Sequence, residues 1–145
     1  MPRSNLLLED FLPYRLSYLA NIMGQGLAEL YTNKYGIAHT EWRVMAVLGV
    51  TSGISAAHVA EKTAMDKVAV SRAINNMIDS GLISRRFADD DRRRSELSLS
   101  ALGKQTYQKI VPLVQAYEQK VLDALTTSER NELDKILRKL TDYIV

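Results

Sequence analysis

Residues 87–99 read Phe-Ala-Asp-Asp-Asp-Arg-Arg-Arg-Ser-Glu-Leu-Ser-Leu, so three aspartates run directly into three arginines. The flanking segments, residues 82–88 and 95–100, have the composition of short strands. Together these features predict a β-hairpin with a cationic tip. We expect Asp89 or Asp91 to hold an arginine of this tip through a charge-assisted hydrogen bond.

Upstream of the hairpin lies a predicted helix with one apolar and one polar face. Asp66 is a typical N-cap, and Val70, Ile74 and Met77 follow at i, i+4 and i+7 on the inward face. Gly81 suits the C′ position, at which such a helix ends.

A shorter helix precedes this one. Ser55 is the predicted N-cap of a helix over residues 56–62, and residues 63–65 form the turn between the two helices. Helix, turn, helix and hairpin in this order predict a winged helix-turn-helix over residues 36–100. In that fold the second helix enters the major groove of DNA.

The segments on either side of this module are also predicted to be helical. Apolar residues at helical spacing indicate a first helix from Glu9 or Asp10 to about Lys34, and Thr40 begins the second helix. Downstream, the same spacing indicates a helix over residues 101–125.

A last helix is predicted to begin at a capping box on Thr127 or Ser128. Because the outer helices are longer than the small core requires, we expect residues 9–34 and 101–145 to be dimerisation helices of a homodimer. The predicted fold class is therefore mainly α, with one domain over residues 1–145: a winged helix-turn-helix flanked by N- and C-terminal dimerisation helices.

Composition narrows the function classes. The net charge is only +2, but residues 67–94 hold seven basic residues against four acids, which favours a nucleic-acid interface there. The chain has no cysteine, so we expect no thiol chemistry. It shows neither a membrane span nor a signal peptide, and we expect it to be cytoplasmic.

Catalytic and metal-binding motifs are missing from the sequence. His39 and His58 have no second ligand at metal spacing and are interpreted as turn and cap residues. No nucleophile elbow, phosphate loop or paired carboxylates are present. We therefore predict neither an enzyme nor a metal or cofactor site.

Four motifs resemble the MarR family of bacterial transcriptional regulators, in order and spacing and over nearly the full length of the chain. Many members carry Asp-Pro-x-Asp-Arg-Arg at the wing tip, whereas this chain has Asp89-Asp90-Asp91 and lacks the stiffening proline. The matching motifs are Val70-Ser71-Arg72, Gly81-Leu82-Ile83, Asp91-Arg92-Arg93 and Leu97-Ser98-Leu99-Ser100-Ala101-Leu102-Gly103.

Three further segments look like a branch of that family linked to aromatic-acid degradation. Its members respond to hydroxycinnamoyl-coenzyme A thioesters or to free aromatic carboxylates, so the resemblance implies an effector of one of these two kinds. The segments are Leu12-Pro13-Tyr14-Arg15-Leu16-Ser17, Glu41-Trp42-Arg43-Val44 and Ala64-Met65-Asp66-Lys67.

The predicted DNA contacts fall into two groups. Side chains on the outward face and first turns of the second helix are placed to reach base edges or phosphates; they are Lys67, Val68, Ala69, Ser71, Arg72, Asn75 and Asn76. The predicted DNA-binding residues of the wing are Arg86, Asp91, Arg92, Arg93 and Arg94. The arginines of the tip are predicted to contact the minor groove and phosphates, with Arg94 as a backbone contact, while Asp91 is a candidate to hold a guanidinium.

Aromatic rings and an arginine near the first two helices suggest a pocket for an aromatic carboxylate or its thioester. The candidate residues are Tyr14, Arg15, Tyr18, Trp42, Arg43 and Met65. For Trp42 a place in the core, and for each arginine a structural ion pair, remain open.

The predicted function is a DNA-binding transcriptional regulator that represses from a palindromic operator as a homodimer. An aromatic acid or its coenzyme A thioester is expected to release it from double-stranded DNA. The alternative is a winged-helix module that binds an acidic protein partner and has no specific DNA site. The steep salt dependence of DNA binding would distinguish the two.

Overall fold

The computed structural model describes residues 5–88 and 91–145, apart from the side chains of residues 88 and 91–94. Contacts divide the chain into two compact units, one ending at Val111 and the other comprising Pro112–Val145. No helix within the described part of the chain is long and apolar enough to span a membrane. After a short 3-10 helix at Leu8–Asp10, the elements are α1 (Leu12–Tyr35), α2 (His39–Val50), α3 (Ala56–Thr63), α4 (Lys67–Asp79), β1 (Ile83–Ala88), β2 (Asp91–Leu99), α5 (Ala101–Leu122) and α6 (Thr127–Ile144).

The first helix begins later than predicted. A start at Glu9 or Asp10 is wrong, because α1 begins at Leu12 and the preceding residues form the separate 3-10 helix. Pro13 explains the difference: it has no N–H for a bond to the carbonyl of residue 9, and its ring fits only the first turn of an α-helix. Gly36 then ends α1 with φ of 66°.

Helix α2 begins at His39, one residue before the predicted Thr40. The N–H of Ala38 donates to Glu41 Oε1 at 2.8 Å, so the glutamate side chain satisfies one free donor at the helix start. In the next helix, Ser55 Oγ accepts from the N–H of His58 at 3.1 Å, which confirms the predicted cap of α3.

Helix α4 has the predicted cap and the predicted inward face. Asp66 Oδ2 accepts from the N–H of Ala69 at 3.1 Å. Val70, Ile74 and Met77 are buried. The helix packs against α2, α3 and β1, and these elements cover its inward face.

The end of α4 is a Schellman motif. Gly81 adopts φ of 78°, a left-handed conformation that favours glycine. Its N–H donates to the carbonyl of Ile78 at 3.0 Å, and the N–H of Leu82 donates to the carbonyl of Met77 at 2.8 Å. These bonds turn the chain directly from α4 into the wing.

Strands β1 and β2 pair antiparallel and form the wing, which confirms the winged helix-turn-helix fold class. The predicted start of the second strand at residue 95 is wrong, because β2 begins at Asp91. Phe87 pairs with Ser95 but Ala88 pairs with Asp91, so β2 carries a bulge. Strand pairing uses backbone groups alone, and the bulge accommodates the charged run that lacks strand-like alternation.

Two predicted helix boundaries in the C-terminal part of the chain are wrong. Helix α5 ends at Leu122 rather than Leu125, and Arg130 Nε donates to the Leu122 carbonyl at 2.9 Å. The cap of α6 is Thr126, not Thr127 or Ser128, since Thr126 Oγ1 accepts from the N–H of Glu129 at 3.1 Å. Glu129 Oε1 accepts in return from the N–H of Thr126 at 2.9 Å, which completes a capping box.

A close junction ties the end of α4 and the base of the wing to the start of α5. The N–H of Ser100 donates to the Leu82 carbonyl at 2.9 Å, and Ser100 Oγ donates to the Gly81 carbonyl. The same Oγ accepts from the N–H of Gly103 at 3.0 Å and thereby caps α5. A Cβ on Gly103 would overlap the Leu82 carbonyl oxygen, so this approach requires glycine.

We expect Gly103→Ala to lower the free energy of unfolding by about 1 to 3 kcal/mol, because the added methyl must push the Leu82 carbonyl out of place. Urea denaturation followed by circular dichroism measures this change. Gln105→Ala, at an exposed position on the same helix, is the control and should stay within about 0.5 kcal/mol of the native chain. Equal stability of Gly103→Ala and the control would contradict the close junction.

Candidate nucleic-acid interface

The outward face of α4 is a solvent-exposed stripe. Because the helix repeats every 3.6 residues, burial of Val70, Ile74 and Met77 turns the opposite side chains to solvent. Six of the seven residues predicted on this helix are exposed, and Ala69 is half-buried. The exposed six are Lys67, Val68, Ser71, Arg72, Asn75 and Asn76.

Strand β1 contributes a residue that the sequence-based site did not include. Arg85 Nη2 donates to Asn75 Oδ1 at 3.5 Å, a long hydrogen bond that joins the wing to the outward stripe of α4. The period of two in a strand could have indicated Arg85, because it lies on the same face of β1 as the buried Ile83. Arg86, the predicted wing residue, is exposed on the opposite face.

The described part of this surface is basic. From residue 67 to residue 87 the chain carries four basic side chains against one acid, Asp79. All four basic side chains are exposed, and they are Lys67, Arg72, Arg85 and Arg86. A cationic stripe of this kind complements a run of phosphates.

The remaining wing residues are placed by backbone only. Asp91, Arg92, Arg93 and Arg94 lie in the first half of β2, opposite the end of β1. Their side chains, and Asp89 altogether, lie outside the described residues. The predicted roles of these residues in DNA contact stay predictions.

The six effector candidates are not brought together in one place. Tyr14, Arg15 and Tyr18 lie exposed on the first turns of α1. The two tyrosine rings stack with centroids 6.0 Å apart. Tyr14, Arg15 and Tyr18 line an open groove of about 680 Å³, whose other lining residues are Glu9, Leu12, Leu16 and Leu19.

Trp42, Arg43 and Met65 do not line that groove. The Trp42 ring stacks between Tyr31, at 5.7 Å, and Tyr107, at 6.1 Å. Arg43 is exposed, and Met65 is half-buried in the turn before α4. Trp42 thus has a packing role in the fold, and only three of the six predicted effector residues line the groove at the start of α1.

His39 belongs to the same aromatic cluster, which corrects its interpretation as a turn residue. It is the first residue of α2, and its Nδ1 lies 2.6 Å from the Tyr31 hydroxyl. Burial raises the pKa of Tyr31, so its hydroxyl stays protonated near neutral pH. Burial, and then the charge of Arg43, lower the pKa of His39.

Known proteins of one family are similar to parts of this chain. A MarR family model matches residues 35–94, which run from the end of α1 into β2. The HTH-type transcriptional regulator BilQ of Clostridium symbiosum is 29% identical over 93 residues, which are 64% of this chain. The match spans 65% of BilQ, a little under two thirds of its length.

Solved structures match over more of the chain. A MarR/EmrR family transcriptional regulator from Acinetobacter sp. ADP1 has a TM-score of 0.87 at 25% identity, and the match covers 96% of this chain and 98% of that one. The Staphylococcus aureus MepR–DNA complex has a TM-score of 0.81 at 19% identity, covering 90% and 96%. BilQ and the Acinetobacter protein are named as transcriptional regulators, not as enzymes.

The half-buried His39 predicts a pH dependence of stability. Its pKa in the folded chain lies below the ordinary value of 6.5, so the unfolded chain binds the proton first as the pH falls. The contribution of neutral His39 is therefore complete above about pH 6.5 and declines as the pH falls below it. We expect urea denaturation to show a smaller decrease between pH 7.5 and pH 5.5 for His39→Gln than for the native chain.

His58→Gln is the matched control, since His58 is exposed and should leave the pH dependence unchanged. Tyr31→Phe removes the hydroxyl that is hydrogen-bonded to His39 and should cost about 1 kcal/mol at pH 7.5. An unaltered pH profile in His39→Gln would contradict the assigned environment of this histidine.

Proposed function

We propose that this chain is a member of the MarR family and a DNA-binding transcriptional repressor that recognises a palindromic operator as a homodimer. An aromatic acid, or its coenzyme A thioester, releases it from DNA. The exposed basic and polar stripe of α4 carries this proposal, because the fold buries the other face of the helix and leaves the stripe open to solvent.

The composition of the stripe suits a duplex. Lys67 and Arg72 supply charge for phosphates, while Ser71 and Asn75 can exchange hydrogen bonds with base edges in the major groove. Arg85 extends the basic surface onto the wing. The fold likeness to MepR, which was solved as a complex with DNA, supports the same use of this surface here.

Exposed apolar residues at both ends of the chain support the homodimer. Single chains rarely expose large contiguous apolar patches. In α6 the exposed residues Leu133, Ile136 and Leu137 recur at i, i+3 and i+4. Near the N-terminal end, the exposed apolar residues include Leu6, Leu7, Leu8, Phe11, Leu12, Leu16, Leu19 and Ile22.

A two-fold dimer would present two copies of α4 to one face of the duplex. Adjacent half-sites on one face are separated by one helical turn, about 34 to 36 Å, so the operator is an inverted repeat. The symmetry of the protein thus explains the symmetry proposed for the DNA.

The effector proposal rests on the groove at the start of α1. The stacked pair Tyr14 and Tyr18 offers aromatic faces, and Arg15 offers a guanidinium that pairs with a carboxylate. A ligand here lowers DNA affinity only if it binds the DNA-free arrangement more tightly than the DNA-bound one.

The alternative function is a module that docks the same basic surface on an acidic protein. No described contact favours a protein partner over a duplex. A duplex and an acidic protein are both anionic. The salt dependence of binding distinguishes them, because it is set by the number of phosphates contacted in a duplex.

DNA binding should depend steeply on salt and on the wing arginines. For a mixed-sequence duplex, we expect Arg92→Ala/Arg93→Ala to weaken binding and to reduce the slope of log affinity against log salt by about 2. Asn75→Ala should instead alter sequence preference. Fluorescence anisotropy at several salt concentrations measures affinity and slope together.

Lys135→Ala/Lys139→Ala is the charge-matched control. Both lysines are exposed on the face of α6 opposite Leu133 and Leu137, and their loss should leave the slope unchanged. Equal salt slopes for the wing variant and the native chain would reject the role of the wing. The absence of duplex binding at low salt would favour the protein-docking module.

An aromatic effector should lower operator affinity some 5- to 150-fold at saturation, which corresponds to an allosteric coupling of about 1 to 3 kcal/mol. The ligands to titrate are hydroxycinnamates, their coenzyme A thioesters and benzoates. Arg15→Met should weaken the response to a carboxylate, while Lys34→Met, on the same helix, should not. Unchanged DNA affinity with all three ligand classes would contradict the effector proposal.

A further inference from the structure

One residue on the outward stripe of α4 has the wrong polarity for solvent. Val68 is 64% exposed at the second position of the helix. It is aligned with Ser71, Arg72 and Asn75 at i, i+3, i+4 and i+7. The other three residues are polar or charged, so Val68 is the apolar member of a stripe that otherwise suits water or an anionic duplex.

Neither helix formation nor core packing explains a valine here. Its branched Cβ restricts the side chain and lowers helix propensity relative to alanine. The inward face of α4 begins two residues later, at Val70, which is buried. Exposure of two methyl groups to water is unfavourable, and a contact made outside this chain would recover that free energy.

The surroundings of Val68 point to the edge of a base. Lys67 precedes it and Arg72 lies one turn further on, and both are exposed cations that complement phosphates. Residues at the N-terminal end of a recognition helix are the ones that reach base edges. Valine has no donor or acceptor, and the apolar group that a base pair presents in the major groove is the 5-methyl of thymine.

We propose that Val68 contacts the 5-methyl group of a thymine in each half-site and thereby selects thymine at that position. This inference rests on the proposed function, because it needs α4 to lie in the major groove. It adds a specificity contact that uses apolar packing, beside the hydrogen bonds available to Ser71 and Asn75.

The test uses a duplex enriched by the native chain from a random library. Each thymine in one half-site is replaced in turn by deoxyuridine, which removes the methyl group and leaves every hydrogen-bonding atom in place. We expect one position at which the native chain loses roughly fourfold in affinity, the value for one buried methyl-sized group. Val68→Ala should bind thymine and deoxyuridine at that position equally.

Val50→Ala is the matched control, because Val50 is also highly exposed but lies at the end of α2. It should retain the roughly fourfold preference for thymine. Since Val68 is exposed and alanine favours the helix more, Val68→Ala should unfold at the same urea concentration as the native chain or a slightly higher one, which separates lost contact from lost folding.

Two results would overturn this inference while leaving the proposed function intact. One is an enriched duplex in which no deoxyuridine substitution changes affinity, and the other is a thymine preference that persists in Val68→Ala. Failure to enrich any duplex would instead overturn the proposed function, and the thymine contact with it. Enhanced capture of an acidic protein by the native chain over Val68→Ala, without duplex enrichment, would assign Val68 to a protein partner.

Discussion

The inward face of α4 packs into the core through Val70, Ala73, Ile74 and Met77, and this packing sets the rotation of the helix about its axis. Burying a valine, isoleucine or methionine side chain contributes about 1.5 to 3 kcal/mol each, so a rotated helix would lose several such contributions together. The stripe from Val68 to Asn75 faces outward as a direct consequence. Every proposal about DNA contact depends on this constraint.

The position of the wing follows from the end of the same helix. The Schellman motif at Gly81 turns the chain from α4 into β1, and Ser100 links that turn to the start of α5. Arg85 then bonds to Asn75 across the gap between strand and helix. Helix and wing are therefore joined into one surface.

Features that depend on residues close together in the sequence could be predicted from it. Ser55 and Asp66 as caps, Gly81 as a helix end and the inward positions of α4 all depend on neighbours within one or two turns. The true cap of α6 is also a local signal, because Thr126 and Glu129 have the capping-box spacing, whereas Thr127 and Ser128 are followed three residues later by Arg130 and Asn131.

Contacts between residues far apart in the sequence could not be predicted in this way. The link from Arg85 to Asn75 and the stacking of Trp42 on Tyr107 join residues whose meeting depends on how the elements pack. His39 likewise required Tyr31, on another helix, to reveal its environment. The start of β2 at Asp91 depends on pairing with β1, which a run of charges does not signal.

We propose that two copies of this chain bind one duplex, each through its α4 and its wing. Selection from a random duplex library by the purified chain in moderate salt, followed by sequencing, tests it most directly. The account predicts enrichment of an inverted repeat whose half-site centres lie about one helical turn, or 34 to 36 Å, apart. A folded chain that enriches no sequence would contradict it.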